Sequence, residues 1–254
     1  MIKISAVIIS FNEEKNIERC IVSAKRVADE IVVLDSLSTD KTEEICRSLG
    51  VKFFQHAFDG HIEQKNRAIT YASSPYVLSL DADEVLSDEL VVSILKVKSD
   101  WTFDGYYFNR LNNYCGSWIR HCGWYPDRKL RLWDSRKGQW TGINPHDRYE
   151  MTPESKTMWL KGDLLHYSYH SVSQHLLQVE KFTNIASKAD FARGRRTNLL
   201  RIMFYPCWKF LRDYIFRLGI LDGYAGYLVC RISAQATFYK NIKLYELQKQ
   251  SRVK

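Results

Sequence analysis

Four short apolar runs alternate with helical stretches over the first 80 residues, and no other feature restricts the fold as tightly. Ile4–Ser10 is apolar and β-branched, and residues 31–34, 51–54 and 76–80 repeat the pattern. The intervening spacing predicts helices up to Ala28, from about Lys41 to Leu49, and from Ile62 to Ala72. Runs this short, apolar on both faces, predict an α/β fold with a doubly wound, mostly parallel sheet. Ligands of such sheets lie beyond the carboxyl ends of the strands. The loops 10–14, 35–40 and 81–84, all acidic, are thereby sent toward one crevice.

From Gly105 to His170 the pattern changes to aromatic-rich β segments, and after Ser173 it is helical, with Gly219, Gly223 and Gly226 as expected breaks. A chain of 254 residues, 45% hydrophobic and 26% charged, buries a full core. The expected organisation is one α/β domain over residues 1–172, in halves 1–100 and 101–172, followed by a helical extension at 173–254. Six cysteines lie far apart without a C-x-x-C pair and read as reduced thiols. The amino-terminal residues lack the regions of a secretory signal, and no apolar stretch reaches the roughly 18 residues of a spanning helix. A cytoplasmic protein is expected.

Charge is uneven. Residues 193–254 hold 13 Lys and Arg against 3 Asp and Glu, a net +10, while residues 1–192 hold 24 against 26, a net −2. In this tail Leu199, Leu200, Met203, Phe204, Leu211 and Ile215 recur at helical spacing with Arg201, Lys209, Arg212 and Arg217 between them, and Pro206 marks a kink. A basic, aromatic amphipathic helix suits an anionic membrane surface. The other reading is a helix packed on the rest of the chain or on a second subunit. Nucleic acid fits less well, because the charges alternate with a continuous apolar stripe and no known nucleic-acid module is present.

The chemistry gathers at Asp81-Ala82-Asp83-Glu84, directly after the apolar run 76–80. Two carboxylates one residue apart at a strand end can offer oxygens to a hard divalent cation that keeps positions open for phosphate. The plainer reading is an acidic turn capping a helix at Glu84. A nucleotidyltransferase would ordinarily show a Gly-rich phosphate loop after the first strand, and Ser10-Phe11-Asn12-Glu13-Glu14 has no glycine.

Three segments in this order, residues 6–14, 33–42 and 81–84, resemble glycosyltransferase family 2 with its GT-A fold. Gln64-Lys65-Asn66, residues 123–132, His146-Asp147 and residues 164–168 look like the branch of lipopolysaccharide core biosynthesis glycosyltransferases. The resemblance implies an inverting, metal-dependent transferase of glucose or another hexose, with residues 1–100 as the nucleotide-sugar half and 101–172 as the acceptor half. The donor is a nucleotide-sugar, a UDP-sugar first, and the acceptor a lipid-linked saccharide at the inner face of the plasma membrane. A polyprenyl-phosphate acceptor is the alternative. Asp35 and the loop carrying Ser10, Asn12 and Glu13 are implied to bind base and ribose, with Asp81 beside the diphosphate and Asp83 on the metal, Mn²⁺ or Mg²⁺. His166 would join Asp83 on the metal or contact the diphosphate. Lys65, Arg128 and Arg131 are candidates for phosphate.

Asp147 is the expected base, placed on a loop after the turn signal Asn144-Pro145, with Asp127 in reserve; pairing of Asp147 with Arg148 or Arg128 is the structural alternative. Among the aromatics, Trp118, Trp124, Tyr125 and Trp140 are sugar-stacking or core residues. Two positions depart from the family pattern. Leu37 stands where Gly is usual, which predicts a changed turn after Asp35, and Asp147 stands where Glu is usual, so its carboxylate must approach the acceptor more closely.

Overall fold

The computed structural model describes residues 1–143 and 146–253, with the side chains of Ile143, His146, Arg252 and Val253 left undescribed. The turn expected at Asn144-Pro145 lies outside the described residues. The chain forms two compact units, one of Met1–Arg110 with Asp127–Tyr167 and one of Leu111–Pro126 with Ser168–Lys254. Residues 111–126, which the sequence places in the α/β part, go with the helices because Tyr114, Ile119 and Cys122 bury against Ala225, Val229 and Cys230.

In the first unit, β1 (Ile4–Ser10), β2 (Glu30–Asp35), β3 (Lys52–Gln55) and β4 (Tyr76–Asp81) lie parallel in the order β3-β2-β1-β4. The sheet continues with β8 (Asp127–Asp134), antiparallel to both β4 and β6 (Gly105–Tyr114), then β11 (Thr157–Tyr169), and β5 (Glu84–Leu86) antiparallel to β11, in the order β4-β8-β6-β11-β5. A separate hairpin joins β9 (Gly138–Ile143) to β10 (His146–Met151).

Helices α1 (Ile17–Ala24), α2 (Thr42–Ser48), α3 (His61–Thr70) and α4 (Asp88–Ser99) cover the sheet. The period of two sorts the strand residues between the faces. Ile4, Ala6 and Ile8 of β1 join one apolar core with Ile17, Ile21 and Ile94, whereas Val7 joins the other with Ala68, Trp133 and Trp140. The parallel half is thus doubly wound, as its uninterrupted apolar strands require.

Glu84 caps no helix. The acidic run ends at the first residue of β5, and α4 starts only at Asp88, where the Ser87 hydroxyl accepts the Leu90 N–H at 3.3 Å. Such a cap satisfies a backbone donor that the first helical turn leaves unpaired.

In the second unit, β7 (Ser117–Ile119) pairs with the end of β6, and three helices follow: α5 (Val172–Ala192), α6 (Leu199–Leu211) and α7 (Gly223–Val253). Ser171 and Asn198 cap α5 and α6 by accepting the N–H groups of Gln174 and Arg201. Pro206 lies inside α6, which runs into a π turn at Arg212–Phe216. Gly219 and Gly223 fall at a break, a 3₁₀ turn at Gly219–Asp222. Gly226, expected to be a third break, lies within α7, and its lack of a side chain admits the Gly219 carbonyl, which a Cβ there would overlap. Among the described residues no helix is long and apolar enough to cross a membrane.

Candidate active site

The parallel register aligns the strand ends: Ser10 stands opposite Asp35 and Ile9 opposite Asp81, so β1, β2 and β4 finish at one edge. The loops after β1 and β2 are laced together. The Ser10 hydroxyl donates to Asp35 Oδ1 at 2.9 Å, and Ser38 donates to Asp35 through its backbone N–H at 2.7 Å and its hydroxyl at 2.5 Å. Asn12 N–H donates to Ser38 Oγ at 2.8 Å, and Asn12 Oδ1 accepts the Thr39 N–H at 2.9 Å. Glu13 N–H donates to Thr42 Oγ1 at 2.8 Å and Glu14 N–H to Asp40 Oδ2 at 3.0 Å. Ser10, Asn12, Glu13 and Asp35, four expected donor contacts, thus belong to one rim. Ser38, Asp40 and Thr42 hold that rim, and only their short, hydrogen-bonding side chains flag them in sequence.

Leu37 tests the changed turn. Its φ is +63°, the left-handed conformation, and its side chain is 51% exposed. The turn suited to glycine is therefore kept, with leucine bearing the steric cost of roughly 1–2 kcal/mol. Leu37→Gly is expected to raise stability by up to about 1 kcal/mol, the relief being partly offset by the greater freedom of glycine in the unfolded chain. A urea midpoint that moves down would contradict this.

Glu13 is half-buried at this rim, and its carboxylate Oε2 accepts from the Asn16 amide at 2.7 Å. Burial, above all, and then the nearby Asp83, Asp40 and Asp81 push its carboxyl up to about 7, against the lowering effect of Asn16. Between its ordinary value of 4.5 and 7, the folded chain holds a proton that the unfolded chain has released. Stability accordingly falls as pH rises through that window. Glu13→Gln should stabilise the metal-free protein at pH about 8 by roughly 1–2 kcal/mol, after discounting for solvent screening, and by almost nothing at pH about 4. Urea titrations in chelator at the two pH values check both the sign and the window.

The D-x-D strand end is anchored from below. Arg131, 3% exposed on β8, donates through Nη2 to Asp81 Oδ2 at 2.7 Å and to Glu84 Oε1 at 2.6 Å. Glu84 is fully buried, and its Oε2 accepts the Asp81 N–H at 3.0 Å. Burial alone would raise the Asp81 carboxyl, but Arg131 and then Lys65 hold it well below the ordinary range. A register shift between Tyr106 and Tyr107 opposite this part of β8 leaves Arg131 the extra residue of a β-bulge. Arg131, expected to meet a phosphate, is instead buried beneath the acidic turn.

Lys65 projects from α3 and is 7% exposed. Its ammonium lies 3.1 Å from Asp81 Oδ1, 2.8 Å from Asp147 Oδ2 and 4.4 Å from the centroid of the Trp140 ring. It therefore ties the strand end to Asp147. Asp147 sits on β10, paired with Gly142, rather than on a loop, and its side chain is 14% exposed. The alternation that buries Tyr149 two residues on sets its direction.

Asp83 and His166 come together. The backbone N–H of Tyr167 donates to the Asp83 carbonyl at 2.9 Å, extending the β5–β11 pairing, and His166 Nε2 lies 3.1 Å from Asp83 Oδ2. A separation of about 3 Å is expected of two ligands at right angles on a cation with bonds of about 2.1 Å. Among the described residues no group of three or more His, Cys, Asp or Glu side chains is arranged to hold a metal alone.

Arg128 is exposed on β8, outside the ion pairs of Lys65 and Arg131. Asp127 pairs with Arg110 at 2.8 Å and Lys129 at 3.1 Å. Trp133 stacks on Tyr149 and Trp140 meets both edge-on within the core, with the Lys65 ammonium over the Trp140 ring.

A mixed sheet wound by helices, with carboxylates at the ends of its parallel strands, is a GT-A-type architecture. The chain belongs to glycosyl transferase family 2, whose profile matches residues 5–152, and is a glycosyltransferase. A glycosyltransferase of Rickettsia bellii of uncharacterised activity is 32% identical over 98% of this chain and 88% of its own length. The lipopolysaccharide core biosynthesis glycosyltransferase LpsC of Rhizobium meliloti is 28% identical over 96% of this chain and 92% of its own. Among solved structures, glucosyl-3-phosphoglycerate synthase from Mycobacterium tuberculosis, in complex with Mg²⁺ and uridine-diphosphate, aligns with a TM-score of 0.37 and 25% identity, over 45% of this chain and 44% of that one.

Proposed function

We propose that this glycosyltransferase moves a hexose, with inversion, from a nucleoside diphosphate donor to a hydroxyl of a lipid-linked saccharide of the lipopolysaccharide-core type. It meets that acceptor at the cytoplasmic face of the membrane. The observation that carries the reading is the Lys65 bridge, which sets Asp147 beside the Asp81–Asp83 turn. Similarity to LpsC along nearly the whole chain supports the acceptor class.

Asp35 and the laced rim of Ser10, Asn12 and Glu13 hold the nucleoside, and Lys65 and Asp81 define the floor beneath the diphosphate. Asp83 and His166 would hold a divalent cation, Mn²⁺ or Mg²⁺, which supplies charge neutralisation to the leaving diphosphate. Asp147 takes the proton of the acceptor hydroxyl as that oxygen bonds to the anomeric carbon. The bond from the anomeric carbon to the diphosphate oxygen breaks on the opposite face, and the diphosphate leaves with the electron pair. Lys65 fixes the base relative to the strand end, so the proton acceptor and the leaving group keep their spacing.

Purified protein offered UDP-, GDP- and CMP-sugars, with and without Mn²⁺ or Mg²⁺, should hydrolyse one diphosphate donor and only with metal. Asp83→Asn should lower that hydrolysis by about 10²–10³-fold. Silence across every donor, or hydrolysis indifferent to metal and to Asp83→Asn, refutes the reading.

A further inference from the structure

Helix α6 is apolar yet almost unburied. Of its 13 residues, LeuLeuArgIleMetPheTyrProCysTrpLysPheLeu, only Ile202 is buried. Leu200 is 66% exposed, Phe204 62% and Trp208 54%, and the face continues through Phe216 at 65% and Tyr224 at 76%. A soluble helix buries its apolar stripe, so this one has its partner outside the chain. The alternative reading, packing of the stripe on the rest of the chain, holds only in part: Phe210 and Tyr214 lie against the cluster of Tyr114, Ala225 and Val229.

Charge selects the partner. Residues 193–217 hold seven Lys and Arg with Asp213 as their single acid, a net +6. Asp213 is 2% exposed by side chain and paired with Lys209, Arg212 and Arg217, so it presents no negative charge outward. Arg193, Arg196 and Arg201 are exposed at the start of the apolar face. A second copy docked by the same face would set one +6 segment against another. An anionic leaflet instead attracts each of these cations while its acyl boundary receives the side chains, with Trp208 and Tyr224 suited to the headgroup level.

We infer that α6 and the turns up to Tyr224 form the docking surface of the protein for an anionic lipid bilayer, on which it lies without crossing. The inference deepens the proposed use of a lipid-linked acceptor, but it rests on the helical unit alone.

The full chain is tested by flotation with vesicles of phosphatidylcholine alone and with vesicles containing roughly a third phosphatidylglycerol, where binding should be about tenfold or more stronger. Phe204→Ser with Trp208→Ser should abolish it, and Arg196→Glu with Arg201→Glu should weaken it by about tenfold or more. These positions are exposed, so the variants should keep the wild-type circular dichroism and wild-type hydrolysis of a soluble donor. Failure to bind anionic vesicles at low salt overturns the inference, as does a wild-type dimer by light scattering that Phe204→Ser with Trp208→Ser makes monomeric. Hydrolysis of the soluble donor, unaffected by either result, reports separately on the catalytic reading.

Discussion

Asp147→Asn should slow transfer to a sugar hydroxyl by about 10²–10⁴-fold, the usual contribution of a positioned general base. Asparagine matches aspartate in shape and can still reach Lys65, whose second partner, Asp81, is unchanged. The loss should therefore fall on kcat, with the donor KM little altered, because the interaction removed acts only as the acceptor proton leaves. An already ionised polyprenyl phosphate acceptor needs no base, and transfer to it should survive the substitution. Initial rates with both acceptors make the comparison. Hydroxyl transfer within a few-fold of wild type would remove Asp147 from the mechanism, and Asp127, held by Arg110 and Lys129, would be the carboxylate to examine next.

Arg131→Leu has the largest expected effect on stability. It leaves Asp81 and the fully buried Glu84 without the guanidinium that binds both. Removing one partner of a buried ion pair costs about 3–5 kcal/mol, far more than loss of a surface pair such as Arg26–Asp88. In the wild type Asp81 is held below its ordinary 3.8, so its pairing contributes fully at neutral pH and is lost only as acid titrates the lowered group. In the variant Lys65 stays 3.1 Å from Asp81 and Arg110 3.7 Å from Glu84, and protonation relieves the carboxylates that have lost their closest cation, so the deficit should shrink near pH about 4. Urea unfolding at both pH values reads this out. A deficit under about 1 kcal/mol at neutral pH would mean that water replaces the guanidinium and that the acidic turn is less dry than its burial implies.

Activity of the folded Arg131→Leu protein is informative as well. Arg131 touches Asp81 and Glu84 from beneath, and its consequence for catalysis is the placement of the turn that carries Asp83. Asp83→Asn acts on the same turn through its carboxylate alone. The first substitution should therefore lower both stability and rate, the second the rate with stability little changed.

Much of the first unit is readable in sequence because its information is local. Strands of four to seven residues with apolar, β-branched side chains announce themselves, as at Ile4–Ser10 and Tyr76–Asp81. The breakers and short polar residues after them mark the loops. Residues whose role depends on burial were harder. Arg131 reads as a phosphate ligand because arginine so often is one, and only the bulge in β8 turns it under the acidic loop. The plainer reading of Glu84 as a helix cap fails because Glu84 opens β5, which pairs with β11, more than 70 residues away. Leu37 reads as a changed turn, whereas the laced bonds of Asn12, Ser38 and Thr39 outweigh the modest strain of a left-handed leucine.

By itself the sequence determined the strand and helix order, the loops that carry the acidic residues, and the basic, apolar character of α6, since each follows from neighbours within a few positions. Tertiary structure alone decided that Lys65 meets Asp147, 82 residues on, that Arg131 meets Asp81, 50 residues back, and that the stripe of α6 stays uncovered. Such pairings depend on sheet register and on which faces find a partner, and chain-distant contacts of that kind leave no periodic signal for a local reading to find.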